Sequence, residues 1–380
     1  MAAVPDAQLG TGKTGKLGFL PRLESLRGIA AVSVVGYHIT SQFTDTYVTG
    51  MAPVVMFFVL SGFVLARSLQ NNPNPITFLR HRLFRLFPAA IGVVALLTLL
   101  HHQYGFYVGY ETKFDPLNIV LNAIMVRHDI NGVMWSMTVE CFATPVILLS
   151  FWIFQHLGPR PLMVSIAVLF GLSFWGAYVH LLGGIANLAP LYAFVAGVLL
   201  QMQGGRTAER LRTAAVWILS IAAIALLCFC GAQKQTAPII ALETLSSSLL
   251  VLLVAFRSAI GLFAVLDLRL VRFYGRISYS FYLLHPIGMS LAARLLDARD
   301  LPVLLAISVT TIAAIALTTP MAWFSWRYIE KPFIALSRLA AKQPSPASAI
   351  EPGASGVSCT DIRERCRGGA EDTLNTFGNE

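Results

Sequence analysis

Charged side chains are scarce: Asp, Glu, Lys and Arg make up 12% of the 380 residues, against about 25% in a soluble domain. So few charges cannot cover a water-facing surface, which excludes an ordinary soluble fold. Cysteine is sparse and unpatterned. The five thiols, Cys141, Cys228, Cys230, Cys359 and Cys366, are odd in number and show neither disulfide-framework nor metal-ligand spacing. The first twenty residues lack a small-residue cleavage site after a compact apolar core, so the first apolar run reads as an uncleaved anchor. No internal repeat is visible.

What is present is apolar: 56% of the residues are hydrophobic, gathered in runs of roughly 17 to 25, the length that crosses a bilayer. The pattern predicts an all-α fold, a polytopic transmembrane helical bundle of about ten spans. They are expected near 21–40, 53–69, 86–102, 137–155, 162–181, 188–203, 214–230, 238–256, 274–296 and 301–326. The net charge of +9 reports topology rather than a nucleic-acid partner. With the N-terminus in the cytoplasm, twenty Lys and Arg fall inside and five outside, the latter being Lys113, Arg127, Lys234, Arg294 and Arg299. By the positive-inside rule both termini are then cytoplasmic. Residues 1–20 read as a cytoplasmic N-terminal segment, 21–333 as the transmembrane domain, and 334–380 as a cytoplasmic tail. From about 343 the tail is rich in Pro, Ser, Ala and Gly and is expected to be disordered. The longest link, about 103–134, holds Tyr104, Tyr107, Tyr110, Glu111, Asp115 and Asp129. It falls on the outer side, where it could help to form an acceptor site.

Ionisable groups inside a span cost several kcal/mol unless they face a cavity or a partner, so their positions are informative. Arg27 and His38 in the first span are eleven residues apart, on one helical face and about 16 Å apart along the axis. A snorkelling Arg and a hydrogen-bonded His would explain an isolated pair equally well. Ser61 and Gly62 in the second span read as helix packing. Arg80, Arg82 and Arg85 gather at the expected cytoplasmic entrance of the third span, where guanidinium forks suit phosphate or lipid headgroups. At the outer entrance of the fourth span, Ser136 and Glu140 share a face beside Trp135. A carboxylate there needs a donor, and His38, expected at the same depth, is the candidate. Ser278, Tyr282 and His285 form a polar stripe at i, i+4, i+7 of the ninth span, with Tyr279 beside it. Glu330 sits in a pre-proline turn, where a local cap or salt bridge is as good an account as function.

Taken together these residues resemble the acyltransferase family 3 proteins, integral-membrane O-acyltransferases that decorate bacterial surface glycans, Nod factors and some antibiotics. The matching pieces, in order from about 23 to 333, are Arg27 with His38, FFVLSG at 57–62, Arg82 and Arg85 followed by Phe87 and Pro88, WSMTVE at 135–140, SYSFYLLH at 278–285 and EKP at 330–332. Met137 stands where that motif usually has Leu, and the esterase domain that some members carry after the spans is not expected from the residues that follow 333 here. The resemblance implies transfer of an acyl group, most often acetyl from acetyl-CoA, to a hydroxyl of an extracytoplasmic saccharide at a bacterial inner membrane. No permanently bound cofactor or metal is expected; acyl-CoA is the donor substrate, and a saccharide, free or lipid-linked, the acceptor.

On that reading His38 is the general base, Glu140 orients it, and Arg27 supports both it and the donor. Arg82, Arg85 and Arg27 take the acyl-CoA phosphates. Ser136, Trp135, Ser278, Tyr279, Tyr282 and His285 serve the acceptor or the oxyanion. The rival is a transporter or flippase of a lipid-linked glycan, since a polar stripe through ten spans also fits a permeation path.

Overall fold

The computed structural model describes residues 20–44, 50–109, 114–179, 187–257, 260–296, 298 and 300–340. Tyr110, Glu111 and the tail from 341 onward lie outside them. Among the described residues the chain is helical and contains no strand. The long helices are α1 (Pro21–Phe43), α2 (Met51–Asn71) and α3 (Pro75–Tyr104), then α5 (Trp135–Leu157) after the short α4 (Pro116–Ala123). There follow α6 (Pro159–Leu172), a one-turn α7 (Gly176–Val179), α8 (Leu191–Glu209), α9 (Thr213–Gly231) and α10 (Ala237–Phe256). A 3₁₀ segment, Gly261–Asp267, leads into α11 (Arg269–Leu295) and α12 (Val303–Ser325), and a π turn, Trp326–Glu330, continues into α13 (Lys331–Ala340).

Among the described residues six helical stretches are long and apolar enough to cross a membrane: α2, α3, α9, α10, α5 with the turn before it, and α12 with its continuation. The architecture is that of a multi-pass integral membrane protein. Helices α1, α8 and α11 have the length, at 23, 19 and 27 residues, but the polar side chains that they carry lower their hydropathy. Two expected spans differ in extent from the helices that form there. The stretch expected over 162–181 is broken after Leu172, where the 14-residue α6 ends, and resumes only in the one-turn α7; residues 180–186 are not described. The third helix begins at Pro75 rather than near 86, because Asn74 accepts hydrogen bonds from the Ile76 and Thr77 amides and Pro75 fits the first helical position. Arg82 and Arg85 therefore sit two to three turns inside α3.

Close helix crossings place the polar faces. A Cβ built on Gly28 of α1 would overlap the Gly275 backbone of α11, and one on Gly275 would overlap the Glu24 carbonyl. A Cβ on Gly62 of α2 would run into the Phe194 carbonyl of α8, and one on Gly197 into that of Val59. Backbone contact of this kind is what small residues permit in membrane helices. At the basic end of the bundle Asp267 joins α1 to α11, accepting from Arg22 Nε at 3.0 Å and from Arg272 Nη2 at 2.8 Å. Those two bonds hold its carboxyl down at about 2. Its contribution to stability is therefore present above the ordinary carboxyl range near ~4 and is lost as pH falls towards about 2.

Gly275→Ala is expected to destabilise the protein by about 1–3 kcal/mol, because no rotamer change moves a backbone aside. Gly36→Ala, whose added Cβ would meet nothing within 4 Å, leaves stability unchanged or slightly raised. Thermal unfolding of the two variants in detergent checks this.

Candidate active site

Glu140 is buried near the start of α5, and its carboxylate meets two helices. Ser61 Oγ of α2 donates to Oε1 at 2.6 Å, and Arg82 Nη1 of α3 donates to the same oxygen at 3.0 Å. Arg82 Nη2 also stands 3.0 Å from Oε1. Both partners are almost fully enclosed, with side chains 6% and 8% exposed, so neither charge is left to water. The expected pairing of Glu140 with His38 is not what forms. The carboxylate takes the stronger donor that the early start of α3 delivers, and His38 lines a different cavity. Arg82 is likewise not a free phosphate ligand, since its charge is engaged by Glu140.

Beside this pair is a small cavity of about 20 Å³, lined by Arg27, Ser61, Ser136, Glu140, Ser278 and Tyr282 among others; it has room for about one water. Arg27 lies within electrostatic range of Glu140, Arg85, Glu24 and Glu330, a network of two guanidinium and three carboxyl groups. Glu330, for which a local cap or salt bridge was as good an account as function, is buried in the π turn and accepts from Ser280 Oγ at 3.1 Å. Tyr279 spends its hydroxyl on the Leu86 carbonyl, at 2.6 Å. It therefore holds α11 to α3 and is not a free donor for an oxyanion.

Further from the basic end opens a cavity of about 290 Å³ whose wall includes His38, Trp135, Tyr282 and His285. The rings of His38 and His285 are stacked, with centroids 5.6 Å apart and planes 15° apart. Pro286 explains the state of His285. A proline has no N–H to give to the carbonyl four residues earlier, which is that of Tyr282, and His285 Nδ1 lies 2.6 Å from this carbonyl oxygen. A carbonyl only accepts, so Nδ1 carries the proton and the neutral ring presents a lone pair at Nε2. That atom is buried and makes no hydrogen bond among the described residues. His285 is thus built as an acceptor, and the expected oxyanion role does not fit its neutral form.

Tyr282 and Val54 line both cavities and separate them. Ser136 Oγ is 2.9 Å from the Tyr282 hydroxyl, which is also 3.2 Å from the Val133 carbonyl. Asn131 Nδ2 donates to the Leu283 carbonyl at 2.9 Å and anchors the segment before α5 to α11. The structure thus gathers Arg27, Ser136, Glu140, Ser278 and Tyr282 around one cavity and His38, Trp135, Tyr282 and His285 around the next. Among the described residues no three His, Cys, Asp or Glu side chains are close enough together to hold a metal ion.

Sequence reasoning assigned Ser61 to packing, although a hydroxyl beside a tight glycine crossing was a signal for a polar contact. It also passed over Glu243 of α10, which is fully buried and accepts from Gln235 Nε2 at 3.2 Å. A lone acidic residue in the run ALETLSSSLL was the signal.

Arg82→Ala is expected to cost about 3–5 kcal/mol by leaving Glu140 buried and unpaired, and to lower membrane abundance. Arg82→Leu combined with Glu140→Gln recovers most of the folded yield. Unfolding temperatures of the single and double variants check the coupling.

The family model described as an acyltransferase domain matches residues 20–326, which contain every side chain of both cavities. Among curated proteins, the chain is 39% identical over 80 residues to acyltransferase MdmB of Streptomyces mycarofaciens, covering 18% of this chain and 21% of that protein. It is 32% identical over 106 residues to protein 2 in the picA locus of Rhizobium radiobacter, covering 26% and 54% respectively. These alignments span about a fifth and about half of the two relatives. No solved structure matches. A family model that covers the chain from α1 through α12, both cavities included, decides the matter: the chain belongs to acyltransferase family 3.

Proposed function

We propose that the protein transfers an acyl group, acetyl from acetyl-CoA, to a hydroxyl of a saccharide on the far side of the membrane. The observation that carries this reading is the meeting of two unlike cavities at Tyr282, one in contact with the arginine network and one walled by stacked histidines. The basic end is taken to face the cytoplasm, at a bacterial inner membrane. Acyl-CoA enters there, with its phosphates on Arg85 and Arg27, while Arg82 and Glu140 together form a fixed wall of the site. The thioester carbonyl approaches Tyr282, whose hydroxyl turns from the Val133 carbonyl, to which it donates at 3.2 Å, to donate to the developing oxyanion.

The acceptor hydroxyl enters the histidine-lined cavity. His38 removes its proton as the oxygen attacks the acyl carbon, the carbon–sulfur bond breaks, and the proton passes on to the departing thiolate. The products are the sugar ester and free CoA. His285, with its lone pair at Nε2, accepts a hydrogen bond from the acceptor or from protonated His38. Trp135 and Ser136 sit where the sugar and the attacking oxygen meet, and Ser278 faces the donor arm.

In nanodiscs, the purified protein is expected to release free thiol from acetyl-CoA, and His38→Ala to abolish release without loss of folded protein. Normal turnover by His38→Ala would remove that residue from the mechanism, and failure of the folded wild type to bind CoA would favour a transporter. Arg85→Ala is expected to raise KM for acetyl-CoA roughly tenfold or more, the effect of losing one charged hydrogen bond of about 1.5–3 kcal/mol, with kcat little changed. Initial rates over a range of acetyl-CoA concentrations check this.

A further inference from the structure

A second cavity, of about 410 Å³, opens beside the histidine-lined one and shares Met51 and Trp135 with it. Its other walls come from different elements: His128 from the segment after α4, Ser173 from the end of α6, Asn187 before α8, and Gln235 and Ala237 at the start of α10. Both volumes are near or within the range of ligand pockets, ~300–1,000 Å³. Trp135 stands at the boundary, half-buried, with the Phe58 ring meeting it edge-on at 6.3 Å and 90°. A braced indole between two cavities offers a flat apolar face of the kind on which the C–H face of a pyranose packs.

The polar groups suit sugar hydroxyls. His128 Nδ1 and Gln235 Oε1 are buried and make no hydrogen bond among the described residues. Burial pushes the His128 imidazole down from its ordinary value, which favours its neutral form. The Gln235 amide is held by buried Glu243, which accepts from Nε2 at 3.2 Å and thereby leaves Oε1 as the free end. Buried polar atoms without partners are costly, and sugar hydroxyls, which both donate and accept, would offset that cost.

We propose that the acceptor is an oligosaccharide or polysaccharide and not a single sugar. The unit that receives the acyl group occupies the cavity of His38 and His285, and the neighbouring unit occupies the cavity of His128 and Gln235, with Trp135 packed between the two. The proposal rests on the acyl-transfer reading and adds the length of the acceptor to it.

The test uses the full chain in nanodiscs with acetyl-CoA and fragments of the source cell's surface polysaccharide, size-fractionated from one to six sugars. Free-thiol release and the mass of each fragment are followed together. In the wild type, kcat/KM is expected to rise about tenfold from one sugar to two, equivalent to about 1.4 kcal/mol. Ala237→Trp, which fills the second cavity without removing a partner, abolishes that rise and leaves transfer to the single sugar unchanged. Gln235→Ala reduces the rise by weakening binding of the second unit, visible in KM and not in kcat. Equal efficiency for one sugar and two, an undiminished rise in Ala237→Trp, or thiol release with no fragment modified would each overturn the proposal while leaving acyl transfer in place. Absence of any acetyl-CoA consumption by folded wild type would overturn the acyl-transfer reading and this proposal with it.

Discussion

The buried ion pair between Arg82 and Glu140 sets the positions of three helices. The guanidinium comes from α3, the carboxylate from α5, and Ser61 of α2 adds a third donor. Either charge alone in a membrane-spanning bundle would cost several kcal/mol, so the three helices are bound to one register. The consequence reaches beyond the pair. With Arg82 held by Glu140, Arg27 and Arg85 are the cations of the neighbouring network, and Glu140 cannot serve a distant histidine. One early helix start, at the Asn74 cap, distributes roles among all these residues.

Proline performs a second, local assignment. Pro286 interrupts the hydrogen bonding of α11 and releases one carbonyl, and the preceding histidine occupies it. An interior proline costs a helix about 3 kcal/mol, and the Nδ1 bond recovers part of that while fixing the tautomer. The result is a buried imidazole with its lone pair exposed to the cavity and a second imidazole stacked on it. A histidine so held needs no carboxylate to orient it.

The proposed transfer across a bilayer would have to join a polyanionic donor on one side to a neutral, hydroxylated acceptor on the other without opening a continuous polar path. The two cavities share only Tyr282 and Val54, which suits that proposal. The glycine crossings between α1 and α11 and between α2 and α8 keep the walls close enough for one tyrosine to close the gap. The same closeness makes the site intolerant of added methyl groups far from the chemistry.

The helical class and the membrane setting follow from the sequence alone, because too few charges and runs of bilayer length permit no other solution. The polar stripe of α11 was also legible, since a period of 3.6 residues puts Ser278, Tyr282 and His285 on one face in any straight helix. The extent of α3 was readable in principle from Asn74 and Pro75, but the hydropathy pattern masked it, because the first turns of α3 carry arginines. The partner of a buried charge was not legible. Spacing along one helix gives a face but no depth relative to other helices: Glu140 was expected at the outer entrance and Arg82 at the cytoplasmic one, yet the two meet at 3.0 Å. Arg82 won over His38 because α2, α3 and α5 converge on one point, and the glycine crossings and the start of α3 made that convergence possible. Pairings across helices depend on rotations and on offsets of a few ångströms, which only the packed bundle fixes.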